Sequence, residues 1–135
     1  MQHHPAMRVA LISDIHANRP ALEAVLDDIA AAGADEIWCL GDVVGYGAEP
    51  DACVELTREH AAICLAGNHD LAVTGDLPLD EFSRGAGIAA RWTQETMDPE
   101  NVAWLATLRP LDEDRSIGLY HASPRDPIWE DVLSA

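Results

Sequence analysis

Residues 7–33, MRVALISDIHANRPALEAVLDDIAAAG, decide the fold. Met7 to Ser13 is a short apolar, partly β-branched run that stops at Asp14, as a strand buried on both faces would. Pro20 suits the first turn of a helix, Leu22, Val25, Leu26 and Ile29 recur at helical spacing, and Gly33 stands where a left-handed C-terminal cap is wanted. The unit then repeats. Glu36 to Leu40 reads as a second strand running into Gly41-Asp42, Pro50 to His60 as a helix, and Ile63 to Ala66 as a third strand ending in Gly67-Asn68-His69-Asp70. This alternation predicts an α/β fold, a mainly parallel sheet flanked by helices, with ligands bound at the C-terminal edge of the strands. Further on, Asp80 to Met97 is predicted helical although Gly85 and Gly87 weaken it. Asp98-Pro99 opens another helix with Val102, Leu105 and Ala106 on one face, and Ser116 to Tyr120 is a fourth strand ending at His121. Trp38, Trp92 and Trp104 are assigned to core packing.

The chain has 135 residues, 48% hydrophobic and 24% charged, which suits one compact core. No repeat or linker divides it, so residues 7–135 read as a single domain after a loose leader, Met1 to Ala6, that carries His3 and His4. Acidic residues number 24 against 8 basic ones, a formal charge of -16. That opposes binding to a nucleic-acid polymer, whose affinity comes from cationic side chains displacing counterions. All the basic residues are arginine. Without lysine there is no P-loop cradle, no Schiff-base chemistry and no kinase strand lysine, so phosphate would have to be met by metal, arginine, histidine or backbone amides. Cys39, Cys53 and Cys64 form no C-x-x-C pair and fit a reducing, cytoplasmic setting. No stretch approaches the roughly 20 apolar residues of a membrane span.

The polar clusters fall systematically at strand ends: Asp14-x-His16 after the first, Asp42 after the second, Asn68-His69-Asp70 after the third and His121 after the fourth. Singly, each has a bland reading. The D-x-H can be a helix cap and a surface histidine, Asp42 a cap, Gly-Asn-His-Asp a tight turn, and His121 a satisfied, partly buried histidine. Jointly, their order and placement bring carboxylates, imidazoles and a carboxamide to one sheet edge, a first shell for divalent manganese, iron or zinc.

With these blocks in order, the sequence resembles the calcineurin-like metallophosphoesterases, whose motifs D-x-H, G-D, G-N-H-D/E and a lone later histidine correspond to Asp14-Ile15-His16, Gly41-Asp42, Gly67-Asn68-His69-Asp70 and His121. The resemblance implies two divalent ions, one held by Asp14 and His16, the other by Asn68 and His121, with the Asp42 carboxylate between them. It implies a metal-bridged hydroxide attacking a phosphodiester or phosphomonoester. His69 would face the substrate and donate a proton or stabilise charge, and Asp70 would orient its ring.

Departures from the family pattern sharpen this. Gly45-Tyr46-Gly47 follows the Gly-Asp block where the protein-phosphatase branch has a further aspartate and arginine, which favours a small, nucleotide-like ester over a phosphoprotein and resembles the small prokaryotic branch. Arg125 is a candidate phosphate clamp or a surface ion pair. Tyr46 and Trp129 read first as core aromatics and second as a base-stacking pair. The family's terminal Gly-His-x-His does not follow His121, so the C-terminal strands of its second sheet and one imidazole per metal are expected to be missing. That describes a fragment of a longer chain. The alternatives are an oligomer in which another subunit covers the incomplete sheet, or a non-catalytic interaction module that keeps the fold.

Overall fold

The computed structural model describes residues 6–134, so His3 and His4 of the predicted leader lie outside the described residues. A three-stranded parallel sheet organises the chain: β1 (Val9–Ile12), β2 (Glu36–Cys39) and β3 (Ile63–Cys64) in the order β1-β2-β3. The register is regular, with Val9 opposite Glu36, Ile12 opposite Cys39, and Cys39 opposite Cys64. Each strand is followed by a helix, α1 (Arg19–Ala32), α2 (Pro50–His60) and α3 (Asn68–Thr74). All the strand-to-helix loops therefore open on one edge of the sheet.

The helix signals act as read for α1. Asn18 caps it through a bond from Ala21 N, Pro20 sits in its first turn, and Gly33 closes it at φ 68°. Leu22, Leu26 and Ile29 turn inward, whereas Val25 is exposed. The first strand is not buried on both faces as expected. It pairs only with β2 and forms the sheet edge, leaving Leu11 60% exposed.

Three further corrections concern the C-terminal part. Gly67-Asn68-His69-Asp70 is not a bare turn but the first turn of α3, stabilised by Asp70 at its third position accepting from Gly67 N at 2.9 Å. The expected Asp80–Met97 helix is split into a 3₁₀ turn, Leu79–Glu81, and α4 (Arg84–Thr96), because Ser83 caps α4 by accepting from Ala86 N. The fourth strand is not part of the parallel sheet. It is β5 (Leu119–Tyr120), antiparallel to β4 (Leu111–Asp112), in a separate two-stranded sheet that follows α5 (Pro99–Leu105).

The main core gathers Leu22, Cys39, Val43, Val54, Val73, Met97 and Leu105 between sheet and helices. A smaller cluster of Trp38, Ile63, Leu65 and Leu119 ties β5 to the sheet. Ala66 N donates to Arg109 O, and His121 N to Pro110 O, which fixes the end of β5 beside the end of β3. Trp38 is buried and Trp104 packs against the main core, but Trp92 is 43% exposed on α4 and not in the core; Ala106 follows α5 and is also exposed. Among the described residues no helix is long and apolar enough to cross a membrane.

Candidate metal centre

Two loops build most of the site, residues 13–18 after β1 and residues 40–49 after β2. They run against each other through Asp14 N to Gly41 O, His16 N to Asp42 O and Ala17 N to Val43 O, at 2.9, 3.0 and 2.9 Å. Among the described residues, the non-glycine residues with positive φ are Asp14, His16, Ala17, Asp42 and Tyr46, all of them in these loops. Left-handed backbone at non-glycine residues is costly, and it concentrates where side chains are held for function. Here the backbone ladder holds it in place.

Asp70 is the anchor beneath the loops. It is fully buried, and its two carboxylate oxygens accept from Asp42 N, Val43 N, Val44 N and Gly67 N at 2.8 to 3.3 Å. It does not orient the His69 ring, as the family resemblance had implied, because those four amide donors occupy it. His69 Nδ1 is buried and has no hydrogen-bond partner among the described residues, pressed against Gly45.

The remaining polar side chains converge. His16 Nε2 stands 3.6 Å from Asp14 Oδ1 and 3.5 Å from Asp42 Oδ2; His121 Nε2 stands 3.6 Å from the same Asp42 oxygen and 3.3 Å from Asn68 Oδ1. The backbone settles what these rings present. His16 Nδ1 lies 3.0 Å from Val44 O and His121 Nδ1 lies 2.7 Å from Leu40 O. A carbonyl only accepts, so both Nδ1 atoms carry a proton and both Nε2 atoms are left to face carboxylate and carboxamide oxygens, free to ligate once unprotonated. The spacing fits a shared cation, since atoms about 2.1 Å from one ion stand roughly 3 to 3.5 Å apart. The donor set therefore fits divalent metal.

The structure brings together Asp14, His16, Asp42, Asn68, His69 and His121. Among the carboxylates and imidazoles, two overlapping groups, Asp14, Asp42 and His121, and His16, Asp42 and His69, each have donor atoms within 4.8 Å of one another, and Asn68 joins through His121. Asp42 belongs to both. His16 also stands 3.6 Å from Asp14, the pair that the resemblance assigns to one ion, and the second group adds His69, which the resemblance leaves out of the ligands.

Burial sets the protonation of the metal-free groups. It pushes the Asp42 carboxyl up to about 6, against the pull of His121, and pushes Asp70 up to about 6, with Asp42 adding to the effect. Burial, reinforced by His16, takes His69 down to about 4. Every one of these shifts favours the uncharged form, and nearby dications would reverse the preference of the carboxylates.

The cleft over these residues measures about 440 Å³ and is also lined by Tyr46, Trp129, Glu130 and Asp131, with no arginine in its wall. Arg125 is not a clamp here. Its guanidinium is exposed and paired with Glu130, lining a neighbouring depression. Tyr46 and Trp129 are not core residues: they stand 57% and 39% exposed at the cleft. Sequence reasoning missed the Leu40 and Val44 carbonyls that set the imidazoles, the anchoring by Asp70, and Phe82, whose ring lies 5.1 Å from both His69 and Trp129. Only the carbonyls had a signal, their position at or just past a strand end.

Comparison with known proteins gives concordant findings. A family model described as calcineurin-like phosphoesterase matches residues 7–133. The uncharacterised protein MJ0912 of Methanocaldococcus jannaschii is 45% identical over 127 residues, 90% of this chain and 52% of that one. Phosphodiesterase YfcE of Escherichia coli K12 is 30% identical over 106 residues, 71% of this chain and 54% of that one. A crystal structure of a metallophosphoesterase from Sphaerobacter thermophilus superposes with a TM-score of 0.80 at 46% identity, covering 95% of this chain and 51% of the other. The chain thus spans about half the length of the relatives it matches.

Proposed function

The chain belongs to the calcineurin-like phosphoesterase family, and from that premise we propose that it hydrolyses a small phosphate ester, a phosphodiester or phosphomonoester of nucleotide-like size, with two divalent cations bound at the strand ends. One observation carries the reading: a single Asp42 carboxylate oxygen faces the Nε2 atoms of two histidines at 3.5 and 3.6 Å.

Asp14, His16, Asp42, Asn68 and His121 would hold the ions, with Asp42 shared. This oxygen and imidazole set suits manganese, iron or zinc. Such cations supply Lewis-acid charge to a phosphoryl group and make a nearby water more acidic. The rest falls to the chain. The carbonyls of Leu40 and Val44 keep two imidazoles in the tautomer that binds metal, and Asp70 fixes the loop that carries Asp42. His69 lies at the cleft beside His16 and Asp42, where its ring can donate a hydrogen bond or a proton to a phosphoryl or leaving oxygen.

The wall of the cleft supports a small substrate. Its carboxylates and the overall charge of -16 repel a polyanion, and no arginine stripe extends from it. Cys39, Cys53 and Cys64 are free thiols, in keeping with a cytoplasmic location.

The test is turnover of an aryl phosphodiester by the full chain with added manganese. Metal-dependent hydrolysis abolished by Asp42→Asn and His69→Ala supports the proposal, and unaffected turnover in both variants overturns it. Metal binding with no hydrolysis of any phosphate ester would favour the non-catalytic interaction module.

A further inference from the structure

Aromatic residues are scarce in this chain, one phenylalanine, two tyrosines and four tryptophans. The single phenylalanine, one tyrosine and one tryptophan nevertheless join through His69 in a chain of rings that runs from the metal centre, where Tyr46 also lies 4.9 Å from His16, to Trp129. Tyr46 lies 4.6 Å, ring to ring, from His69; His69 lies 5.1 Å from Phe82; Phe82 lies 5.1 Å from Trp129. Phe82 is half-buried and backs the arc, while Tyr46 and Trp129 keep open ring surface in the cleft. Tyr46 is presented there by backbone at φ 59°, a conformation an aromatic residue adopts only when its surroundings impose it.

Charge at the Trp129 end is the second observation. The residues next to Trp129 in the wall are Glu130, which Arg125 pairs from outside the cleft, and Asp131, and no arginine lies among the lining residues themselves. No cationic side chain lines that wall to hold a second phosphate, whereas a flat uncharged ring would find aromatic faces to stack on and the Asp131 carboxylate to accept from its amino groups.

We propose that Tyr46 and Trp129 form a stacking clamp for a planar, uncharged ring, so that the ester this site takes carries one phosphoryl group at the Asp42 end and a nucleobase or aryl group at the Trp129 end. The proposal rests on the phosphoesterase reading above and adds the specificity of its non-reacting part. Phe82 is a positioning residue that holds the Trp129 ring.

The test measures binding by calorimetry to the full chain with manganese, using two matched pairs, AMP against ribose 5-phosphate and phenyl phosphate against methyl phosphate. Base stacking predicts that the ring-bearing member of at least one pair binds about tenfold or more tightly. An advantage in the AMP pair alone assigns a nucleobase, and one in both pairs assigns a ring of either kind. Tyr46→Ala and Trp129→Ala each shrink that ratio, Tyr46→Phe restores it, and Trp92→Ala, on an exposed tryptophan outside the cleft, leaves it unchanged. Level affinities within both pairs overturn the clamp, as does a ratio that survives both alanine variants. Failure of inorganic phosphate to bind in a manganese-dependent way overturns the underlying phosphoesterase reading as well, so the two failures are told apart.

Discussion

Gly45→Ala probes the packing of His69 with a single added methyl group. Gly45 has φ 93°, and a Cβ there would lie 2.5 Å from His69 Nδ1 and 2.9 Å from the ring's Cγ. Two costs follow. The backbone term, an L-residue in left-handed geometry, is about 1–2 kcal/mol. Restoring a contact of about 3.5 Å requires the imidazole to move by roughly 1 Å, an overpacking cost of about 1–3 kcal/mol. Gly75→Ala separates the two, since Gly75 has φ 86° with nothing within 4 Å of its would-be Cβ. Thermal unfolding followed by circular dichroism should show Gly75→Ala losing about 1–2 kcal/mol and Gly45→Ala about 2–5 kcal/mol, with each kcal/mol shifting Tm by about 4 °C for a chain of this size. Turnover of an aryl phosphodiester discriminates further. A 1 Å misplacement of a reacting group costs on the order of 100-fold, so Gly45→Ala should lose about that factor in kcat while Gly75→Ala keeps its activity. Equal turnover in the two variants would refute the role assigned to His69 and its packing.

Other expectations are independent of that site geometry or bear on it from different directions. Burial pushes the Cys53 thiol up to about 11 from 9.0. The folded chain therefore keeps a proton that the unfolded chain gives up above pH 9, and the stability it contributes is complete below pH 9 and lost as pH rises through about 11, roughly 2–3 kcal/mol in all; urea unfolding across that window should show a shallower fall in Cys53→Ala than in wild type, the remainder coming from Cys64 and Tyr120, which are raised as well. Arg125→Ala should leave KM within about twofold, because its guanidinium faces Glu130 and not the cleft; a tenfold rise in KM would reinstate it as a phosphate contact. His121→Ala should weaken manganese binding by about 10- to 100-fold or more, whereas His60→Ala, at the end of α2, should leave it unchanged in calorimetric titration. Chelation should lower the Tm of wild type held in manganese by several degrees and leave Asp42→Asn unmoved, since a ligand that binds only the folded state stabilises by mass action.

The strand-and-helix alternation and the site were legible for different reasons. Pro20, Gly33 and Asp98 announce helix ends through local chemistry, and the side chains of Asp14, Asp42, Asn68 and His121 converge because a parallel sheet sends its loops to one edge. What escaped depends on partners far along the chain. β1 has the composition of an inner strand, but its edge position, and hence the exposure of Leu11, follows from the strand order. Gly-Asn-His-Asp carries turn chemistry, and only the packing of the following Leu71 to Thr74 segment shows it opening a helix. β5 pairs with a two-residue strand too short to leave a periodic signal. Arg125 found its partner five residues on in Glu130, so the ambiguity between clamp and ion pair was settled by a local turn. Nothing in the sequence marked Phe82 as a neighbour of His69, because the 3₁₀ turn that places it has no pattern of its own.

The most direct measurement is an anomalous-difference map from crystals of the chain grown in manganese. The account predicts two peaks about 3.5–4 Å apart, both within bonding distance of the Asp42 carboxylate, one near each of His16 and His121. Well-ordered metal bound elsewhere, or a map in which Asp42 touches no ion, would contradict it.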